Sequence, residues 1–174
     1  MYMNLIGENI YISDKAKVAD GVTIYHGAFI GDGVVIGKGT TVYQNAVVLS
    51  STIGQDCIIG QFSLTRDSKI SNNVTVGPYS EVARSTMEDG SAVYHKATIV
   101  DVTFEKNSMM GANSVIANAN LKTGEKTHTI VQEGAKVGAN VTILSPVVIG
   151  KNSIVGANTF INKDIAPNAT YYKK

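Results

Sequence analysis

Branched apolar residues recur at every sixth position through the last part of the chain. From Val131 to Ile161, a Gly, Asn, Pro or Asp stands three residues after each of them, the last being Asp164. A period of six fits neither the repeat of a free helix, about 3.6 residues, nor the two-residue repeat of a strand. It is typical of a solenoid, in which short strands alternate with tight turns and each hexad sends one aliphatic side chain inwards. The inward residues are Val131, Val137, Ile143, Ile149, Val155 and Ile161.

The same register continues towards the N-terminus. Three residues after most of the inward positions in this part of the chain there is again a Gly, Asn or Asp. These residues tolerate the positive φ that tight corners need. Four steps are five residues long, from 48 to 53, 59 to 64, 82 to 87 and 99 to 104. The apolar pattern and the turn pattern agree, and together they predict an all-β solenoid. The inward positions are Ile12, Val18, Ile24, Ile30, Ile36, Val42, Val48, Ile53, Ile59, Leu64, Ile70, Val76, Val82, Met87, Val93, Ile99, Phe104, Met110 and Ile116.

One stretch interrupts the hexads. The step from Ile116 to Val131 is fifteen residues, and the residues between them are mostly polar and lack an apolar period. We interpret 117–130 as a loop extruded from the solenoid, because loops of this length on a rigid scaffold are usually functional or disordered. The chain is then a single domain, 1–174, of about eight coils with a C-terminal tail at 165–174.

Repeated tripeptides indicate which corners lie above one another. Three hexads that close a triangular coil place residues eighteen apart on the same face. Gly-Ala-Asn occurs at 111–113, 138–140 and 156–158, and the copies share one column if the loop counts as part of a single coil. Counting one coil further back places His95 in that column, in line with the middle alanines. His26 falls in the column as well, and we interpret it as a surface residue.

Hexads such as VGANVT, VIGKNS and VGANTF resemble those of the left-handed parallel β-helix acyltransferases, the hexapeptide-repeat family. The segment 78–165 resembles in particular the acetyltransferase half of the bifunctional glucosamine-1-phosphate acetyltransferase / N-acetylglucosamine-1-phosphate uridyltransferase. The matching pieces include 90–100, 126–150 and 156–165. The resemblance implies a left-handed parallel β-helix that transfers an acetyl group from acetyl-CoA to a sugar or amino sugar. Motifs of the nucleotidyltransferase half are not seen in this sequence.

The resemblance also implies roles for individual residues. His95 matches the catalytic base of the family, and histidine suits this role because its unperturbed pKa of about 6.5 lets it accept a proton at neutral pH. Small residues at two corners would line the pantetheine arm of coenzyme A, and lysines would lie near the rest of the cofactor. The implied cofactor-binding residues are Ala139, Ala157, Lys126 and either Lys173 or Lys174.

The acceptor side is less well defined. Asn118 matches a sugar-contacting asparagine of the family, and Tyr94 stands beside the base. Arg84 and Glu81 are candidates for binding a substrate phosphate or amine, although a plain surface pair fits them equally well. His128, in the loop, is a further candidate for contact with substrate or cofactor. Several sugar-contacting positions of the family carry other residues, which leaves open the acceptor, N- versus O-acetylation and the length of the acyl group. These positions are Ala83, Thr98, Met109 and Ala119.

Composition and charge limit the binding partners and the cellular environment that we expect for this chain. A net charge of +1 over 174 residues gives no reason to expect nucleic acid or an anionic membrane as a partner. No apolar run reaches about eighteen residues, so no membrane span is expected. The first residues lack a basic stretch followed by an apolar one, and Cys57 has no second cysteine to pair with. We therefore expect a reducing, cytoplasmic environment.

Two other functions remain open. The γ-class carbonic anhydrases share this solenoid, but their metal site needs two histidines five residues apart within one coil. His26, His95 and His128 contain no such pair, so we expect no metal. The other alternative is a non-catalytic module for oligomerisation or sugar-nucleotide binding. The resemblance itself implies a homotrimer with active sites between subunits.

Overall fold

The computed structural model describes residues 3–172, which form short strands joined by tight turns. In chain order the strands are β1 (Asn4–Ile6), β2 (Tyr11–Ile12), β3 (Lys17–Val18), β4 (Thr23–Tyr25), β5 (Phe29–Ile30), β6 (Val35–Ile36), β7 (Thr41–Val42), β8 (Val47–Leu49), β9 (Thr52–Ile53), β10 (Ile58–Ile59), β11 (Leu64–Arg66), β12 (Lys69–Ile70), β13 (Thr75–Val76), β14 (Glu81–Ala83), β15 (Thr86–Met87), β16 (Ala92–Val93), β17 (Thr98–Val100), β18 (Val102–Phe104), β19 (Met109–Met110), β20 (Val115–Ala117), β21 (Thr129–Val131), β22 (Lys136–Val137), β23 (Thr142–Leu144), β24 (Val148–Ile149), β25 (Ile154–Val155), β26 (Phe160–Ile161) and β27 (Thr170–Tyr171). Over 3–172, no helix has the length and apolar character needed to cross a membrane.

Every third strand pairs in parallel with the corresponding strand of the next coil. Sheet A has ten strands and runs from β1 to β27, sheet B has nine and runs from β2 to β26, and sheet C has eight and runs from β3 to β24. Each full coil contributes one strand to each sheet, so the solenoid has about ten turns. The count of about eight coils from sequence is wrong, because it began at Ile12 and treated 165–174 as a tail. Strands β1 and β27 both pair in sheet A.

The core is a continuous column of inward aliphatic side chains. The predicted inward residues from Ile24 to Ile161 are at most 2% exposed, apart from one position. A second, smaller residue two places earlier is also buried in many hexads, as with Val22 and Ala28. Full burial of one Val, Ile or Leu side chain stabilises a fold by about 1.5–3 kcal/mol. The core is therefore spread along the axis, and each coil depends on its two neighbours.

The exception is Leu64, which is partly exposed, whereas Thr65 is fully buried. Thr65 stands in register with the inward residues Val48 and Val82 of the adjacent coils. The prediction of an inward Leu64 is wrong because the apolar pattern favoured the aliphatic neighbour over the threonine. The five-residue step therefore runs from 65 to 70, and all four short steps fall at the same corner of successive coils.

That short corner, where sheet B passes into sheet C, is closed by serine side chains. Ser68 Oγ donates to the carbonyl oxygen of Arg66 (2.7 Å) and accepts from the backbone N–H of Ser85 (3.1 Å). Ser51 and Ser85 make the equivalent pair of bonds in the neighbouring coils. Each hydroxyl thus satisfies backbone groups that the tighter turn leaves without a partner, and it links one coil to the next.

The predicted loop leaves the solenoid at this same corner. Strand β20 ends at Ala117 and β21 begins at Thr129, so the excursion covers 118–128. It folds back on itself, because Ala119 and Lys126 form an antiparallel bridge and the N–H of Asn120 donates to the carbonyl oxygen of Glu125 (2.8 Å).

We call the corner from sheet A to sheet B the A–B edge and the corner from sheet B to sheet C the B–C edge.

Candidate active site

His95 lies on the A–B edge, in the turn between β16 and β17. The N–H of Lys96 donates to the carbonyl oxygen of Pro78 in the preceding coil (2.8 Å), and the N–H of Asn113 donates to that of His95 (2.9 Å). The same contact repeats through the following coils. The column predicted from the Gly-Ala-Asn repeats is therefore confirmed. In order along the edge, its middle residues are Pro78, His95, Ala112, Ala139 and Ala157.

Beyond His95, the middle position of each turn carries only a methyl group. Ala112 and Ala139 are partly exposed and Ala157 is exposed. Parallel strands of adjacent coils lie about 4.8 Å apart, so Ala157, three coils on, lies about 14 Å from His95 along the edge. The alanines therefore form a shallow row on which no middle position carries more than a methyl group.

Glycine precedes each of these alanines because the coils approach closely there. A Cβ added at Gly111 would lie 2.5 Å from the carbonyl carbon of Gly138, and one added at Gly138 would lie 2.7 Å from the nitrogen of Ala157. Both distances are shorter than real Cβ contacts. The close approach of successive coils thus requires glycine at the first position of the repeat.

The His95 side chain is exposed, and Tyr94 is its aromatic neighbour. The two ring centroids are 6.5 Å apart with an interplanar angle of 50°, and Tyr94 is 40% exposed. The turn brings both rings out of the solenoid, since the flanking Val93 and Ala97 point into the core. The imidazole is therefore open to a substrate that approaches along the edge.

Three of the other predicted site residues meet on the B–C edge. Arg84 Nε and Nη2 donate to the two carboxylate oxygens of Asp101 (2.8 and 2.9 Å), and Asn118 Nδ2 donates to the same carboxylate. The paired guanidinium lowers the pKa of the Asp101 carboxyl, with smaller contributions from Asn118 and the charge of Lys126. The Arg84 pKa is raised in turn by Asp101. These groups form an ion-paired cluster at the base of the loop.

Glu81 is engaged separately. Its carboxylate accepts from Arg66 Nη2 at 2.9 Å and from Nε at 3.3 Å. Arg84 and Glu81 therefore do not pair with one another. This differs from the alternative interpretation, in which the two residues form a plain surface pair. Each is held by a residue of an adjacent coil.

The loop borders two clefts. One, of 390 Å³, has a mostly apolar lining that includes Leu121, Leu144 and Pro146. The other, of 280 Å³, lies beside His128, and His128 Nε2 shares a hydrogen bond with Thr103 Oγ1 (3.0 Å). Leu121 is 99% exposed, so an apolar side chain projects from the loop tip.

The predicted site residues thus divide between two edges of one chain. His95, Tyr94, Ala139 and Ala157 lie together on the A–B edge, whereas Asn118, Arg84 and Lys126 lie on the B–C edge, with sheet B between the two groups. Lys173 and Lys174 lie outside the described residues. Within 3–172, no three His, Cys, Asp or Glu side chains are grouped in a way that could hold a metal ion.

Two features of the edges were missed from sequence. Asp101 is the residue that gathers Arg84 and Asn118, and both lie seventeen residues from it. Phe62 and Tyr79, also seventeen apart, stack on the A–B edge with ring centroids 5.0 Å apart. A search at a spacing of seventeen, the coil length set by the short corners, would have found all three pairs.

Comparison with known proteins agrees with this architecture. A family model described as bacterial transferase hexapeptide (six repeats) matches residues 128–163. Residues 128–163 are thus similar to the hexapeptide repeats that this model describes. The resemblance drawn from the hexads of this chain is therefore confirmed.

Curated relatives are similar over most of the chain. Bifunctional protein GlmU of Heliobacterium modesticaldum is 33% identical over 126 residues, which cover 72% of this chain and 27% of that protein. Bifunctional protein GlmU of Geobacillus sp. (strain WCH70) is 35% identical over 127 residues, which cover 72% of this chain and 27% of that protein. The chain thus spans about a quarter of the length of these relatives.

Solved structures share the fold. A UDP-N-acetylglucosamine acyltransferase from Campylobacter jejuni superposes with a TM-score of 0.82, covering 95% of this chain and 70% of that one, at 18% identity. LpxA from Acinetobacter baumannii superposes with a TM-score of 0.66, covering 98% of this chain and 72% of that one, also at 18% identity. At this identity the likeness establishes the solenoid alone.

Proposed function

We propose that the chain is an acyl-CoA-dependent acyltransferase with a sugar or amino sugar as acceptor and His95 as general base. The observation that carries the proposal is the exposed imidazole of His95 at the head of a row of methyl-floored corners. The names of the relatives, GlmU and UDP-N-acetylglucosamine acyltransferase, support acyl transfer to a sugar as the class of reaction.

The chemistry needs a base, a held thioester and a stabilised oxyanion. The acceptor nitrogen or oxygen forms a bond to the thioester carbonyl carbon while His95 takes its proton. The carbon–sulfur bond then breaks, and His95 returns the proton to the leaving thiolate. Backbone N–H groups at a glycine-containing corner are suitable donors to the oxygen that gains negative charge.

The donor lies along the alanine row. The pantetheine arm of coenzyme A is long and narrow, and the row from His95 to Ala157 offers about 14 Å of floor, which ends where the ring of Tyr172 lies against Gly156. We expect the transferred acyl group to be acetyl, as the resemblance implies. The 390 Å³ apolar cleft beside Leu144 also has room for a longer acyl chain, so both donors should be assayed.

A complete site needs a second copy of the chain. Asn118, Lys126 and Arg84 lie on the B–C edge, away from His95 within one chain. We therefore include a homotrimer in the proposal, with the loop of one subunit facing the A–B edge of the next. Sedimentation of an active sample tests this part, and a fully active monomer would contradict it.

The deciding experiment measures binding and turnover together. Wild-type protein should release free coenzyme A from acetyl-CoA in the presence of an amino sugar or its phosphate or nucleotide-linked form, and coenzyme A should raise its melting temperature. Ala157→Leu places a branched side chain on the floor, so the melting shift should vanish and KM for acetyl-CoA should rise about tenfold or more, equivalent to about 1.4 kcal/mol.

Ala166→Leu is the matched control, because Ala166 is also exposed but lies outside the row. It should behave as wild type. If coenzyme A at millimolar concentration leaves the melting temperature of the wild-type protein unchanged and no sugar is acylated, the non-catalytic module replaces this proposal.

A further inference from the structure

The A–B edge changes character at His95. The last residue of each turn on this edge adopts positive φ, a left-handed conformation that Gly and Asn accept most readily. Within residues 3–172, six of the nine turns on this edge follow that preference. They carry Asn9, Gly27, Asn45, Asn113, Asn140 and Asn158.

The other three turns are consecutive and end at the turn of His95. They carry Phe62, Tyr79 and Lys96, with φ of 56°, 57° and 57°. Large side chains in this conformation are strained, and such strain is commonly found where a residue serves function rather than stability. The neighbouring turns show that Asn satisfies the backbone at this position, so the fold alone does not require an aromatic residue.

Phe62 and Tyr79 form a built surface. Their rings stack with centroids 5.0 Å apart and planes 11° from parallel, and they are 51% and 56% exposed. Phe62 covers the face of Tyr79 that is turned towards the preceding coil. The other face of Tyr79 is turned towards the next coil, where the exposed Lys96 takes the equivalent corner position directly after His95.

The two sides of His95 therefore suit different ligands. After it, the middle position of each turn is an alanine with an exposed asparagine beside it, and before it stands an exposed aromatic stack. In the proposed reaction the acyl donor occupies the alanine row, so the acceptor must reach the imidazole from another direction. Aromatic faces bind flat apolar surfaces, and a pyranose ring offers such a surface in its axial C–H groups.

We infer that Tyr79, supported by Phe62, is the acceptor subsite, on which the pyranose ring of the sugar packs its C–H face while its amine or hydroxyl points to His95. The inference rests on the proposed function and specifies the part of that site which binds the acceptor. Free hexosamines, their phosphates and nucleotide-linked forms share this ring, and separate assays with each distinguish them.

Tyr79→Asn is the test variant, because it removes the ring and installs the residue used in most other turns of the column. KM for the acceptor should rise about tenfold, and KM for acyl-CoA should stay within about twofold of wild type. The melting temperature should be equal or higher, since strain is relieved. Tyr79→Phe keeps the ring and should keep the acceptor KM.

Phe29→Val is the matched control. Phe29 also belongs to an exposed stacked pair, with Tyr11 at 4.5 Å, but lies in sheet B near the N-terminal end of the solenoid. It should leave both KM values unchanged. An unchanged acceptor KM in Tyr79→Asn, with wild-type transfer intact, would overturn the subsite and leave the proposed function standing.

A binding measurement separates the two hypotheses. In saturation-transfer NMR with glucosamine and glucosamine 1-phosphate as probes, irradiation of the aromatic protons should transfer to the ring C–H protons in wild type and not in Tyr79→Asn. If this holds while no acyl transfer is detected, the subsite stands and the proposed function fails. Absence of sugar binding to wild type overturns the subsite, as does a change in sedimentation of Tyr79→Asn that shows the stack joins two copies of the chain.

Discussion

The A–B edge and the B–C edge use polar side chains in opposite ways. On the B–C edge, Arg84, Asp101 and Asn118 satisfy one another across three coils. On the A–B edge, His95 is exposed beside Tyr94, and the middle positions of the three corners that follow it are alanines. The difference indicates that the B–C edge fixes the base of the loop, whereas the A–B edge leaves the side chains of His95 and Tyr94 exposed.

The largest effect should come from the open edge. His95→Ala should lower kcat/KM for acyl transfer by roughly 10²–10⁴-fold, which is the usual contribution of a positioned base. Coenzyme A should still raise the melting temperature, because the alanine row is intact.

His26→Ala is the control for this substitution. His26 occupies the same position of the column and also follows a tyrosine, but it lies four coils away. It should retain full activity. Equal losses in the two variants would show that the effect is on the solenoid, and full activity in His95→Ala would remove the imidazole from the mechanism.

A smaller effect should come from the paired edge. Asp101→Asn removes the carboxylate that holds Arg84 and Asn118, and loss of a charged hydrogen-bonding partner at a partly buried site costs about 1–3 kcal/mol of unfolding free energy. Denaturant unfolding measures this. Asp32→Asn breaks the exposed pair with Lys15 and should cost less.

The Asp101 effect should also depend on pH. The carboxyl pKa is lowered in the folded state, so its contribution is fully present above the ordinary carboxyl pKa of about 3.9 and is lost as pH falls through the folded-state pKa. The stability difference between wild type and Asp101→Asn should therefore be constant near neutral pH and shrink below about pH 4. A difference that grows on acidification would contradict this pairing.

The smallest effect concerns the core behind both edges. Thr65 Oγ1 is buried without a hydrogen-bond partner in the described residues, so Thr65→Val should raise the unfolding free energy by about 1 kcal/mol. Leu64→Val, on the outer face of the same strand, should change it less. If Thr65→Val is destabilising instead, the hydroxyl faces a polar partner and the assigned register is wrong at this coil.

Much of the fold could be predicted from sequence because the period of six is a direct consequence of strand–turn geometry. The inward residues from Ile24 onwards follow it, and hydrophobicity is sufficient to find them. The prediction from hydrophobicity failed at Thr65, because a single buried threonine next to a leucine reverses the apolar pattern. The count of coils failed at the ends, where exposed strands such as β1 lack a buried pattern.

Less of the candidate site than of the fold could be predicted from the sequence. His95 and the alanine row share a column that spacing revealed, but Asp101 carries no signal of its own until the coil length of seventeen is known. Phe62 and Tyr79 have no signal in the sequence pattern either, since nothing in an apolar period marks a residue with positive φ. The division between two edges depends on three-dimensional closure of the coil and needs the structure.

The order of the strands within each sheet has a consequence for motion. Each strand pairs only with the coil directly before or after it, so disorder can spread only from coil to neighbouring coil, and it should begin at the ends, where one neighbour is lacking. Strand β1 is exposed throughout, whereas His95 stands in a middle coil with several coils on either side. The corner that holds the imidazole is therefore among the last parts of the chain to open, and both ends can fray without moving it.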